Sequence, residues 1–127
     1  MYDTLIMLHP GTSFSVDEML EVVQSVAATS DGSVELSGST VRLATSAGHI
    51  DITPNSSDYV VEESNEIAER FDIPCRDCAA RYEMSGEDAG MELFNDYLII
   101  NERLQTLGKF VIFDPQECKL MFEDGAG

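Results

Sequence analysis

The hydrophobic period of the chain changes near residue 33, and that switch constrains the fold more than any other feature. Before it, Met19, Leu20, Val22, Val23, Val26 and Ala27 recur at helical spacing. After it, Val34 and Leu36, Val41 and Leu43, and Ile50 and Ile52 alternate with polar residues. Gly38-Ser39 and Ser46-Ala47-Gly48 interrupt the alternation, and Pro54-Asn55 stops it. Three short strands joined by tight turns predict an antiparallel meander with one buried face.

The flanking segments carry their own signals. Thr4 to His9 reads as a buried strand that Pro10-Gly11 ends. Ser15 and Glu18 have the spacing of a capping box, and Phe14 and Met19 that of a hydrophobic staple, so a helix starts between them. Tyr59 to Val61 fits either a strand or the lead-in to a helix over 62–71, which Ile73-Pro74 closes. Residues 75–84 allow a helical turn followed by a strand from Arg81 to Met84. Ser85, with Asp88 three residues on, predicts the start of the longest helix, and Gly108 its end. Phe110 to Phe113 and Cys118 to Phe122 then read as a hairpin around Asp114-Pro115-Gln116-Glu117. The predicted order is β-α-β-β-β-α-α-β-β over one domain, 1–127. Strands in runs indicate an α+β fold: a meander plus a C-terminal hairpin, with helices packed mainly on one face of an antiparallel sheet.

Folding does not require the charge of this chain. Asp and Glu total 24 against 7 Lys and Arg, a formal net charge of −17 in 127 residues. That excess repels duplex nucleic acid, which needs Lys or Arg to neutralise its phosphates, and it repels anionic membrane surfaces. A basic protein surface is attracted instead, and its encounter rate rises. No apolar run reaches the roughly 18 residues of a membrane span. With no leader pattern and an odd number of cysteines, the expectation is a cytoplasmic protein.

Two acidic faces follow from helical spacing. Glu62, Glu66 and Glu69 fall on one side of the 62–71 helix, and Asp88, Glu92 and Asp96 on one side of the helix expected from Ser85. Like charges at these spacings cost a few tenths of a kcal/mol per pair, roughly. A solvated face explains one such run; two of them, in a chain with two lysines, point to docking on an Arg- or Lys-rich partner. Tyr59, Tyr82 and Tyr97 lie among acids and suit amphipathic contacts at such an acidic interface.

Cys75 and Cys78 form a lone CxxC. Two thiolates at this spacing can hold one side of a zinc ion or form a redox disulfide. No second CxxC exists, and His9, His49 and Cys118 lack ligand spacing, so a structural role is the stronger reading. Neither histidine neighbours a nucleophile motif. No catalytic motif, phosphate-binding glycine loop or calcium loop is present, and no cofactor is expected.

The expected function is therefore a non-enzymatic, acidic, protein-binding or inhibitory protein. Glu62, Glu66, Glu69, Asp88, Glu92, Asp96, Tyr59 and Tyr97 would be its contact residues, and a basic protein such as a nuclease toxin its partner. In acidity, size and α+β make-up the chain is similar to small immunity and inhibitor proteins that cover basic nuclease surfaces. It is less similar to type III secretion chaperones, which open with a helix. No motif carries either likeness. Two alternatives are a small metal or thiol-redox protein using Cys75 and Cys78, and a domain whose acidity reflects a salt-adapted host.

Overall fold

The computed structural model describes residues 2–29, 32–46, 48–88, 94–115 and 119–120. Its elements are β1 (Tyr2–Leu8), α1 (Val16–Ala27), β2 (Ser33–Ser37), β3 (Thr40–Thr45), β4 (Gly48–Asn55), α2 (Tyr59–Phe71), β5 (Arg81–Asp88), α3 (Phe94–Thr106), β6 (Phe110–Asp114) and β7 (Lys119–Leu120). They build one antiparallel sheet in the order β2-β3-β4-β5-β1-β6-β7. This is the α+β architecture the sequence predicts, with the β2-β3-β4 meander in place and β6 paired with Lys119–Leu120; the remaining residues of the predicted 118–122 strand, and 116–117 of its turn, lie outside the described residues.

Strand β5 resolves the ambiguous stretch and corrects one boundary. Ser85 does not open a helix; residues 81–88 pair with β4 on one side and residues 81–86 with β1 on the other. Two-sided pairing prevails over a local capping pattern. Helix α3 begins at Phe94. Tyr59 is the first residue of α2, which settles the choice between strand and helix there.

Local chemistry accounts for α1. The Ser15 side chain accepts from the Glu18 N–H at 3.2 Å, and the Ser15 N–H donates to Glu18 Oε1 at 3.2 Å. Phe14, just before the cap, is buried in the same cluster as Met19. Its ring meets Phe110 edge-on, with centroids 5.0 Å apart.

Side chains on the sheet alternate between two cores. On one face, Ile6, Leu8, Val41, Leu43, Ile50, Ile52, Tyr82, Met84, Phe110 and Ile112 pack against Met19, Val23 and Val26 of α1 and Tyr97, Ile100 and Leu104 of α3. On the other, Met7, Val111 and Phe113 pack against Ile67 and Ala68 of α2 and against Ile73, Cys75 and Cys78 in the segment after it. Two helices therefore share one face, and α2 lies alone on the opposite one. Further along that second face, Arg42, Asp51 and Thr53 of β3 and β4 line an open polar depression with Glu35, Ser37 and Thr40.

Candidate partner-binding surface

Helix α2 presents its apolar residues to the sheet and its acids outward. Val60, Ser64, Ile67 and Ala68 are buried, whereas Glu62, Glu66 and Glu69 are exposed. Asp58, the exposed residue before the helix, extends the row by one turn. The periodicity that seats the helix thus produces the acidic row.

Most of the described bases are engaged away from this row. Arg42 binds Asp51 through two hydrogen bonds, at 2.6 and 2.9 Å. Arg81 binds Glu63 and Glu83. Lys109 approaches Glu18 at 4.0 Å and donates to the Ser13 carbonyl. Arg103 donates to Ser25, and Arg70 lies over the Phe71 ring. Among the described residues, Arg76 is the base that forms an ion pair with the row, 3.6 Å from Glu69 with both side chains well exposed, and Arg70 borders it beside Glu66 and Glu69. Glu62 and Glu66 have no ion-pair partner among the described residues.

A network at the start of α2 fixes an exposed ring beside these acids. Asn55 Nδ2 donates to the Tyr59 hydroxyl at 2.6 Å and to Glu83 Oε2 at 2.9 Å. The Arg81 guanidinium sits 5.7 Å from the centre of the Tyr59 ring. Tyr59 remains 49% exposed, so a pinned aromatic surface stands at one end of the row.

The helical spacing predicted for the second face does not hold between its described members. Asp88 lies in β5 and Asp96 in α3, so the two do not share a helix. Glu92 lies outside the described residues. Asp96 is only half-exposed, and burial raises its carboxyl pKa. Tyr97, expected as a contact residue, is 3% exposed in the core with Ile100 and Leu104, and its ring stacks on that of exposed Phe94. Tyr82 is equally buried and donates to the Phe14 carbonyl at 2.7 Å.

The CxxC occupies the second core. Cys75 and Cys78 are free thiols, both 0% exposed. The Cys78 N–H donates to Ser64 Oγ at 3.1 Å, and Cys75 Sγ contacts the Ser64 carbonyl at 3.2 Å. Asn65 Oδ1 accepts from the Asp77 N–H at 2.8 Å, next to this clasp. Burial raises the Cys75 thiol, and burial with the neighbouring Cys75 and Asp77 pushes Cys78 up to about 11. Such thiols are held protonated, the opposite of what a nucleophile or metal ligand requires. Among the described residues, no group of three or more His, Cys, Asp or Glu is arranged to hold a metal ion. His49 Nε2 stands 3.7 Å from Asp51, on the open sheet face.

No helix among the described residues is long and apolar enough to cross a membrane. Comparison with protein-family models, with curated proteins and with solved structures finds no match.

Proposed function

We propose that this chain is a non-enzymatic binding protein of the immunity or nucleic-acid-mimic kind, working in the cytoplasm and docking the outer face of α2 on a basic protein. The observation that carries this reading is the row Asp58, Glu62, Glu66 and Glu69, exposed along one helix while most of the bases are engaged elsewhere. Uncompensated carboxylates steer a cationic partner and set its orientation. Tyr59, pinned and exposed, supplies the aromatic contact that such interfaces favour at their centre. Helix α2 rests on a sheet through its own apolar core, so the row is presented on a supported surface.

The test compares two charge-matched variants, each immobilised and exposed to native lysate at low salt. One carries Glu62→Gln, Glu66→Gln and Glu69→Gln; the other carries Asp17→Asn, Glu21→Gln and Glu102→Gln on the exposed sides of α1 and α3. The native chain retains basic proteins that leave between ~0.05 and ~0.5 M salt. The α2 variant loses them and the control variant keeps them. Equal behaviour of the two variants assigns the acidity to the molecule as a whole and removes the reading.

A further inference from the structure

Strand β2 ends the sheet, with β3 on one side and no described strand on the other. Ser37 and Thr40 close a two-residue turn over Gly38-Ser39, and Gly38 has φ +62°, as a type II′ hairpin requires at that position. In an antiparallel hairpin closed this way, opposed pairs alternate between hydrogen-bonded and non-hydrogen-bonded, beginning with a bonded pair at the turn. Ser33, Glu35 and Ser37 therefore direct their backbone polar groups at β3. Val34 and Leu36 direct theirs away from the sheet, where they form an unfilled template for another strand.

The side chains around that edge select what can fill it. Glu35 stands opposite Arg42, and Arg42 opposite Asp51, in one row across three strands. The row alternates negative, positive, negative, but the Arg42 guanidinium is taken up by Asp51 through two hydrogen bonds. Glu35 is exposed and forms no ion pair among the described residues. The hydrogen bond and charge of Asp51 raise the Arg42 guanidinium, and the charge of Glu35 reaches it only as a longer-range attraction that adds to that shift. On the opposite face of the strand, Leu36 is 46% exposed beside half-buried Val34.

We infer that β2 is a strand-addition site that takes an extended segment of a basic protein, placing Lys or Arg opposite Glu35 and apolar residues beside Val34 and Leu36. Opposite Glu35 the new pair is of the non-hydrogen-bonded type, in which facing side chains come closest. The pairing continues the charge alternation by one strand, and the added main chain satisfies the outward groups of Val34 and Leu36. A second copy of this chain fits worse. Symmetric pairing about Glu35 opposes two like charges, and every approach works against a net charge of −17 on each molecule. This site rests on the reading that the partner is a basic protein, and it adds to that reading how the partner is held.

The probe is a synthetic peptide of alternating valine and lysine, compared with the same peptide N-methylated on alternate amides. Binding is followed by calorimetry, and the size of the protein by sedimentation. The native chain binds the unmodified peptide and not the methylated one. Leu36→Pro, which removes an outward N–H and leaves the β3 ladder intact, weakens binding by at least about tenfold. Leu36→Thr, which keeps the N–H, stays within about threefold, and Glu35→Gln weakens binding at low salt. Equal binding of the two peptides overturns the inference, because charge alone then explains the contact. So does failure of both to bind, or a dimer that Leu36→Pro dissolves, since the occupant is then a second copy. The Glu62→Gln, Glu66→Gln, Glu69→Gln variant separates the two readings. If peptide addition fails while α2-dependent capture persists, only strand addition is lost. If peptide addition succeeds without α2-dependent capture, only the α2 surface is lost.

Discussion

Arg81 Nη1 lies 2.7 Å from Glu63 Oε1 and joins strand β5 to helix α2. The same guanidinium holds Glu83 Oε2 at 2.7 Å and sits over Tyr59, although Arg81 itself is only 5% exposed. A buried cation between two carboxylates is costly to lose, because the partners are left facing each other without compensation. Arg81→Ala is expected to destabilise the fold by about 3 kcal/mol. Arg81→Lys keeps the charge but not the planar fork, and should cost about half of that. Urea unfolding of both variants measures the difference. A loss below about 1 kcal/mol for Arg81→Ala would show that the network adds little to stability.

Ser64 clasps the segment after α2, and its removal should be felt at the cysteines. Ser64→Ala leaves the buried Cys78 N–H without its acceptor, at a cost of about 1–3 kcal/mol. In the native chain, a maleimide at neutral pH should leave the peptide containing Cys75 and Cys78 unmodified, because both thiols are buried and held protonated. Ser64→Ala should speed that labelling, as read by mass spectrometry of the 75–78 peptide. Rapid labelling of the native chain would contradict a closed clasp.

The pH dependence of stability has two opposed contributions. The hydrogen bond from Arg42 lowers the Asp51 carboxyl despite partial burial. Burial pushes Glu83 up, but hydrogen bonds from Asn55 and Arg81 outweigh it, and the net shift is down. Groups lowered in the folded state stabilise it above the ordinary carboxylate range and lose that contribution as pH falls through their folded values. Asp3 behaves in the opposite way. Burial raises it, with Glu83 and Asp114 adding to the shift, so its ionisation works against the fold as pH rises. Asp51→Asn is expected to flatten the loss of stability between about pH 5 and pH 2 and to cost about 0.5 kcal/mol at neutral pH. Asp3→Asn should instead stabilise by a similar amount at neutral pH, roughly the size of one relieved like-charge contact. Urea midpoints measured across that range decide both signs.

How legible each element was depended on how local its cause is. The cap of α1 needs only Ser15 and Glu18, three residues apart, and the meander needs only alternation and turns, so both could be read directly. Strand β5 was harder because two local patterns overlapped. Tyr82, Met84 and Gly86 carry a period of two, while Ser85 and Asp88 imitate a cap. Only pairing with β1 and β4, distant in sequence, decides between them. The acids that flank Tyr97 give it the local signature of a contact residue. Its phase with Ile100 and Leu104, three and seven residues on, already placed it on the buried stripe. The row Glu62, Glu66 and Glu69 was legible as a helical face. The commitment of Arg81 to Glu63 was not, since they are 18 residues apart and belong to different elements.

The two cores have no side chain in common; β1 supplies Ile6 and Leu8 to one and Met7 to the other. Local opening of α2 would therefore have to break its own core and the Arg81–Glu63 pair, but not the packing of α1 and α3. An occupant of the acidic row would oppose that opening and leave the other core unaffected. The amide protons of α2 should report a bound protein by slower exchange before those of the rest of the molecule respond.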